Sequence, residues 1–169
     1  MGMLDKIKAK LASLGPDHGA MLRDALPADE VFLANATVVP AAFERGGGQA
    51  DIFKAGINAV SSAMSKNKHV SGEPGSMARS LPLSGETRIM AVTSRGLSVW
   101  DFGVMMNEPA TTPEYRIARE HITSFVDTGQ RAQGGAIIWH VTFVDGSTFG
   151  YRSLGSSEGF ADAVAQLRG

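Results

Sequence analysis

The chain has 169 residues, 43% of them apolar and 20% charged, a globular composition with enough mass to bury its own core. Its net charge of -1 lacks the basic excess through which nucleic-acid binders hold phosphate, so no nucleic-acid partner is expected. It contains no cysteine, which excludes a disulfide framework, a thiolate metal site and a cysteine nucleophile.

Met1 to Leu14 carries lysines but no uninterrupted apolar core, so it does not read as a secretory signal. Lys6 stands where a myristoylation motif wants Ser or Thr. No apolar stretch approaches the roughly 20 residues that span a bilayer. These features predict a soluble, cytoplasmic protein. Met3 to Leu14 predicts an amphipathic helix with Leu4, Ile7, Leu11 and Leu14 on one stripe and Lys6, Lys8 and Lys10 elsewhere; Gly15-Pro16 stops it. Such a helix docks on its own domain or on a second subunit, or lies as a basic helix on an anionic membrane surface. Asp17 to Leu26 predicts a second short helix through Met21, Leu22 and Ala25, ended by Pro27. Glu30 to Val39 reads as extended, with Val31, Leu33, Val38 and Val39 as strand formers and Pro40 closing the run.

Glu44 to Glu86 is less regular. Gly46-Gly47-Gly48 leads to a helix predicted from Asp51 to about Lys66, with Ile52, Phe53, Ile57, Val60 and Met64 on one stripe. Ala55, Ala59 and Ala63 form a small-residue ridge at four-residue spacing, suited to close packing inside the domain or across a dimer. The glycines before this helix invite a phosphate, but no G-K-[ST] follows, and a flexible loop is the expectation. His69 to Ser80, with Gly72, Pro74 and Gly75, reads as a mobile loop.

From Thr87 the pattern changes to short strands. Arg88 to Thr93 and Leu97 to Gly103 flank a tight Ser94-Arg95-Gly96 turn. Asn107 to Pro113 reads as a loop, Tyr115 to Ala118 as a brief strand and His121 to Thr128 as a longer one. After a polar connection over Gly129 to Gly135, Ala136 to Val144 and Ser147 to Ser153 flank Asp145-Gly146, the strongest hairpin signal in the chain. Trp139, Val141 and Phe143 share one face, and His140 and Thr142 the other. A last helix is expected over Ser156 to Arg168, capped by Ser156 or Ser157, with Phe160, Val164 and Leu167 buried.

Chemistry-bearing motifs are sparse. Gly155-Ser156-Ser157-Glu158-Gly159 matches G-x-S-x-G, but no histidine follows His140 and the preceding strands are hairpins, so a helix cap explains the serines better. His18, His69, His121 and His140 show no paired ligand spacing, and His140 reads as a strand-surface residue. No catalytic residue, metal or cofactor is expected. If Leu97 and Val99 point inward, Trp100 points outward and marks a contact surface, unless the N-terminal helices or the insert cover it.

Three segments carry a family resemblance. They are Met90-Ala91-Val92-Thr93-Ser94-Arg95-Gly96-Leu97-Ser98-Val99, Ile117-Ala118-Arg119-Glu120-His121-Ile122-Thr123-Ser124-Phe125 and Val141-Thr142-Phe143-Val144-Asp145-Gly146-Ser147-Thr148. In this order they resemble the first hairpin, the strand pair and the Asp-Gly hairpin of bacterial pleckstrin-homology-like (PH-like) domains, relatives in shape of the GRAM and PH folds. The likeness spans Glu30 to Arg168. It implies an α+β fold: an antiparallel β-barrel of two roughly orthogonal sheets, about seven strands in all, closed at one end by a C-terminal helix. It implies binding of a lipid, peptide or partner protein, and not catalysis. The chain departs from the family in its long insert over residues 44–86. There Arg45, Lys54, Lys66, Lys68 and Arg79 are spread among Glu44, Asp51, Glu73 and Glu86, unlike a compact phosphoinositide site.

The expectation is one domain over residues 1–169, with a helical arm at 1–26 and a PH-like barrel at 30–168. Its expected role is non-catalytic binding or assembly through self-association or a protein partner. The alternative is a peripheral membrane module that meets an anionic surface, and a small hydrolase using Ser157 comes third. The candidate surface comprises Lys6, Lys10, Lys54, Ala55, Ala59, Ala63, Lys66, Lys68 and Trp100.

Overall fold

A computed structural model describes residue 2, residues 15–42 and residues 69–168. The helices expected over Met3 to Leu14 and Asp51 to Lys66 lie outside the described residues.

Helix α1, His18–Ala25, begins where the Asp17 carboxylate accepts the Ala20 N–H at 3.0 Å. It ends where Leu26 donates to Leu22 O, just before Pro27. The strands are β1 (Phe32–Pro40), β2 (Val70–Ser71), β3 (Arg88–Thr93), β4 (Gly96–Trp100), β5 (Tyr115–Ala118), β6 (Ile122–Arg131), β7 (Ile137–Phe143) and β8 (Thr148–Ser156). Helix α2 is a single turn, Met77–Ser80, and helix α3 spans Phe160–Ala165.

Every pairing is antiparallel, in the order β5-β4-β3-β1-β8-β7-β6, with β2 added beside β8. Two meanders, β1-β3-β4-β5 and β6-β7-β8, therefore join where β1 meets β8. That seam carries a bulge: Thr37 faces Gly155 and Val38 faces Ser153, so Leu154 is extra and the sheet bends there. The β3–β4 turn needs Gly96, at φ +133°, because a Cβ there would lie 2.2 Å from Ile117 O on β5.

The sheet curls around one core. Its inward residues include Val38, Met90, Val99, Phe125, Val141, Phe143, Phe149 and Tyr151, and α3 fills the concavity with Phe160, Val164 and Leu167. Phe160 meets Trp139 edge-on at 5.4 Å and Phe125 at 6.3 Å. A second apolar cluster lies under α1, where Leu22 and Leu26 pack on Ile89, Ala91, Trp100 and Phe102.

Several expectations change. The sheet is an open, curled half-barrel: β5 and β6 are its edges, splayed apart by the short 3-10 turn Arg119–His121. The expected loop from His69 to Ser80 contains β2 and α2, since Val70 and Ser71 pair with Phe149 and Thr148. The last helix starts at Phe160 and not at Ser156, because β8 continues through Ser156. Its N-cap is Gly159, at φ +78°, and neither serine caps it. Strand β6 also runs three residues beyond Thr128, to Arg131.

Candidate functional site at the open edge

The gap in the half-barrel is built from β5, β6 and the corner that joins them. Ile122 and Phe125 anchor β6 in the core. The register with β7 jumps between Ile122 and Ser124, so Thr123 is extra and the strand bends over α3. Further along, the Asp127 carboxylate accepts both Arg131 guanidinium nitrogens, at 2.9 and 3.0 Å, and the Gly129 N–H at 2.8 Å. Arg131 first, and the Gly129 N–H with it, hold Asp127 below the usual carboxylate range. This clasp shapes the second irregularity of the strand. One side of β6 pairs with β7, and among the described residues no strand pairs with its other side.

The corner is firmly tied. Arg119 N–H donates to Arg95 O, Val144 N–H donates to His121 O, and the Arg119 guanidinium reaches Gln166 O beyond the end of α3 at 2.6 Å. The two edges therefore leave a fixed point and diverge. Beside β5, Glu30 takes two bonds from Arg116, at 3.0 and 2.8 Å, and the Thr93 hydroxyl at 2.6 Å. Inside, Tyr115 and Tyr151 share a hydrogen bond of 2.8 Å between their hydroxyls. Burial pushes Tyr115 up to about 12, against the lowering effect of that bond, and pushes Tyr151 well above its ordinary value. Arg88 at the near rim is ringed by Glu114, Glu86 and Asp101, and the Glu114 bond does most to hold its proton.

Comparison with protein-family models and with curated proteins gives no match.

Of the expected surface, only Trp100 lies among the described residues. Lys6, Lys10, Lys54, Ala55, Ala59, Ala63, Lys66 and Lys68 lie outside the described residues. Of the two readings of Trp100, cover by an N-terminal helix is the one found, and a contact surface is not: it is 0% exposed, because α1 covers that face of β3 and β4, and its indole N–H donates to Ser98 Oγ at 2.8 Å. The G-x-S-x-G serine has a structural task. Ser157 Oγ accepts the Asn35 N–H at 3.0 Å, and its own N–H donates to Asn35 O at 2.8 Å, which extends the β1–β8 pairing. A groove of about 620 Å³ does run past Ser156, Ser157 and His18, but His18 Nε2 lies 2.7 Å from Met106 O.

What the sequence missed is exposed apolar surface on the β4–β5 connection. Val104 is 96% exposed and Met105 75%, on a turn fixed by Gly103 N–H to Asp101, Met106 N–H to Gly103 O and the His18 contact. The adjacent Val-Met-Met was its only signal, and alternation alone does not say which way such a turn points. Among the described residues, no group of three or more histidine or acidic side chains converges as a metal cage, and no helix is long and apolar enough to cross a membrane.

Proposed function

We propose that the chain is a non-catalytic binding and assembly module of PH-like fold that adds a second copy of itself along the β6 edge. The observation that carries this is the length of that edge. β6 is a strand of 10 residues, and among the described residues it has a pairing strand on one side only. A long edge presents a row of N–H and C=O groups that templates strand addition. Antiparallel pairing of β6 with its own copy satisfies two-fold symmetry, each strand giving and receiving the same bonds. The PH-like reading is supported by the element order: a four-strand meander, a three-strand meander joined to it through β1 and β8, then one helix in the concavity. Hydrogen exchange tests the proposal. Amides of Ser124 to Asp127 that face away from β7 gain protection as protein concentration rises; protection independent of concentration contradicts it.

A peripheral membrane role is the second reading, favoured by the exposure of Val104 and Met105. Salt-sensitive sedimentation with anionic vesicles that Met105→Asp abolishes would support it.

A further inference from the structure

A hollow of about 310 Å³ opens where the β3–β4 turn meets β5 and the segment that leads into β1. Pro27, Glu30, Arg95, Gly96, Arg116 and Ala118 are among the residues that line it. Arg116 alternates along β5 with the inward Ile117, so it stands on the outer side of the strand. The backbone around the hollow is fixed. Arg119 N–H donates to Arg95 O at 2.8 Å, Val31 N–H to Ser94 Oγ at 3.0 Å and Ser94 N–H to Val31 O at 2.9 Å. Gly96 places no side chain between the turn and β5, so Arg95 is held close beside that strand.

Each guanidinium is tied through a single nitrogen. Arg116 Nη1 donates to both Glu30 oxygens, and Arg95 Nη2 donates to Asp29. The other guanidinium nitrogens of both residues have no partner among the described residues, which leaves donors in reserve at the hollow. The two pairs differ in how they exchange. The Glu30 side chain is 2% exposed and stays with Arg116, whereas Arg95 and Asp29 are 56% and 67% exposed and part readily.

We propose that this hollow binds an organic monocarboxylate, a small acid or the carboxyl end of a peptide. Its carboxylate lies between Arg95 and Arg116, in the place that Asp29 gives up, and its apolar body rests on Pro27 and Ala118. A guanidinium fork accepts carboxylate and phosphate alike, and charge decides between them. Two guanidiniums against Asp29 and Glu30 leave the hollow neutral, so a phosphate dianion meets two carboxylates. A monoanion that replaces Asp29 keeps the balance. The hollow lies beside β5, the opposite edge of the sheet from β6, and does not depend on assembly there.

The test is a ¹⁵N NMR titration of the full chain with N-acetylvaline, N-acetylvalinamide and inorganic phosphate at fixed pH and ionic strength. The expected result is saturable one-to-one binding of the acid, with shifts at the Gly96, Ile117 and Ala118 amides and the Arg95 and Arg116 Nε–H groups. Arg95→Ala weakens it by about tenfold, the loss of a charge-assisted bond, and Arg95→Lys recovers part of it. An N-acetylated tripeptide ending in valine separates the two sources: tighter binding than N-acetylvaline assigns a peptide end, and equal binding a small acid. No saturation by about 10 mM, an amide that binds as well as the acid, or phosphate that binds better overturns the proposal. So does binding that Arg95→Ala leaves unchanged.

Discussion

Asp145 accepts the Met77 N–H at 2.7 Å, so the β7–β8 turn caps a helix 68 residues earlier in the chain. Its neighbour Ser147 completes the cap by accepting the Ala78 N–H at 3.0 Å, while the Ser147 N–H and hydroxyl both return to Asp145. Two orphan donors of α2 are thereby met by side chains from a hairpin. The Met77 N–H first, then Ser147, hold the Asp145 carboxyl below its usual range. A lowered acid stabilises the fold above the ordinary carboxylate range and loses that contribution as pH falls through the lowered value. Exchange protection of the Met77 amide should therefore persist through pH 4 and fade below it. Asp145→Ala should abolish it at every pH. Protection unchanged in that variant would show that the cap does not hold α2.

Tyr115 and Tyr151 are the chain's two tyrosines, and both are held in the protonated form by burial. The unfolded chain loses these protons near pH 10, whereas folded Tyr115 keeps its own to about 12. Stability should then be full below pH 10 and fall between 10 and 12, and phenolate absorbance should appear only with unfolding. Ordinary titration of either tyrosine in the folded protein at pH 10 would contradict this. Tyr115→Phe or Tyr151→Phe alone leaves one buried hydroxyl unpaired, at about 1–3 kcal/mol, whereas the double variant should cost less than the sum.

Glu30 is the buried partner of an asymmetric ion pair: its side chain is 2% exposed and that of Arg116 is 40%. Removing the acid takes the shortest bond of the buried Thr93 hydroxyl, leaving it the Arg95 N–H at 3.2 Å and Gly96 O at 3.4 Å, and frees Arg116 to reach water. Glu30→Ala should cost about 1–3 kcal/mol in chemical denaturation, and Arg116→Ala more, since it leaves the buried charge behind. The reverse ranking would mean that water reaches Glu30.

Leu22 seals α1 onto Trp100. Leu22→Ala should weaken that docking, with a cost of up to about 2–5 kcal/mol for the cavity. In a Trp139→Phe background the emission then reports Trp100 alone, since the chain has two tryptophans, and it should shift to the red. Unshifted emission would mean that α1 is not what covers Trp100.

Much of the fold was legible because the strands carry period-two patterns with strong turn chemistry. Arg88–Thr93 and Tyr115–Ala118 match their expected bounds, and Asp145-Gly146 turns as a hairpin should. Misreadings arose where a long-range partner decides the local structure. β2 and α2 exist because Phe149, Asp145 and Ser147 supply their missing bonds. Trp100 faces outward by alternation, and only the docking of α1 decides that this outer face is a second core. The open edge of β6 depends on whether two distant strands close on each other, which no local pattern encodes.

Assembly along β6 shows itself in the solution mass. Light scattering on the full chain and on Thr123→Lys, across a wide concentration range, compares assembly with and without an added positive charge on that edge. Thr123 is exposed on the extra position of the bulge, so the substitution leaves the core untouched. The wild type should be a two-fold multimer and the variant a monomer. A wild type that stays monomeric at every concentration, or a variant that assembles as well as the wild type, would contradict it.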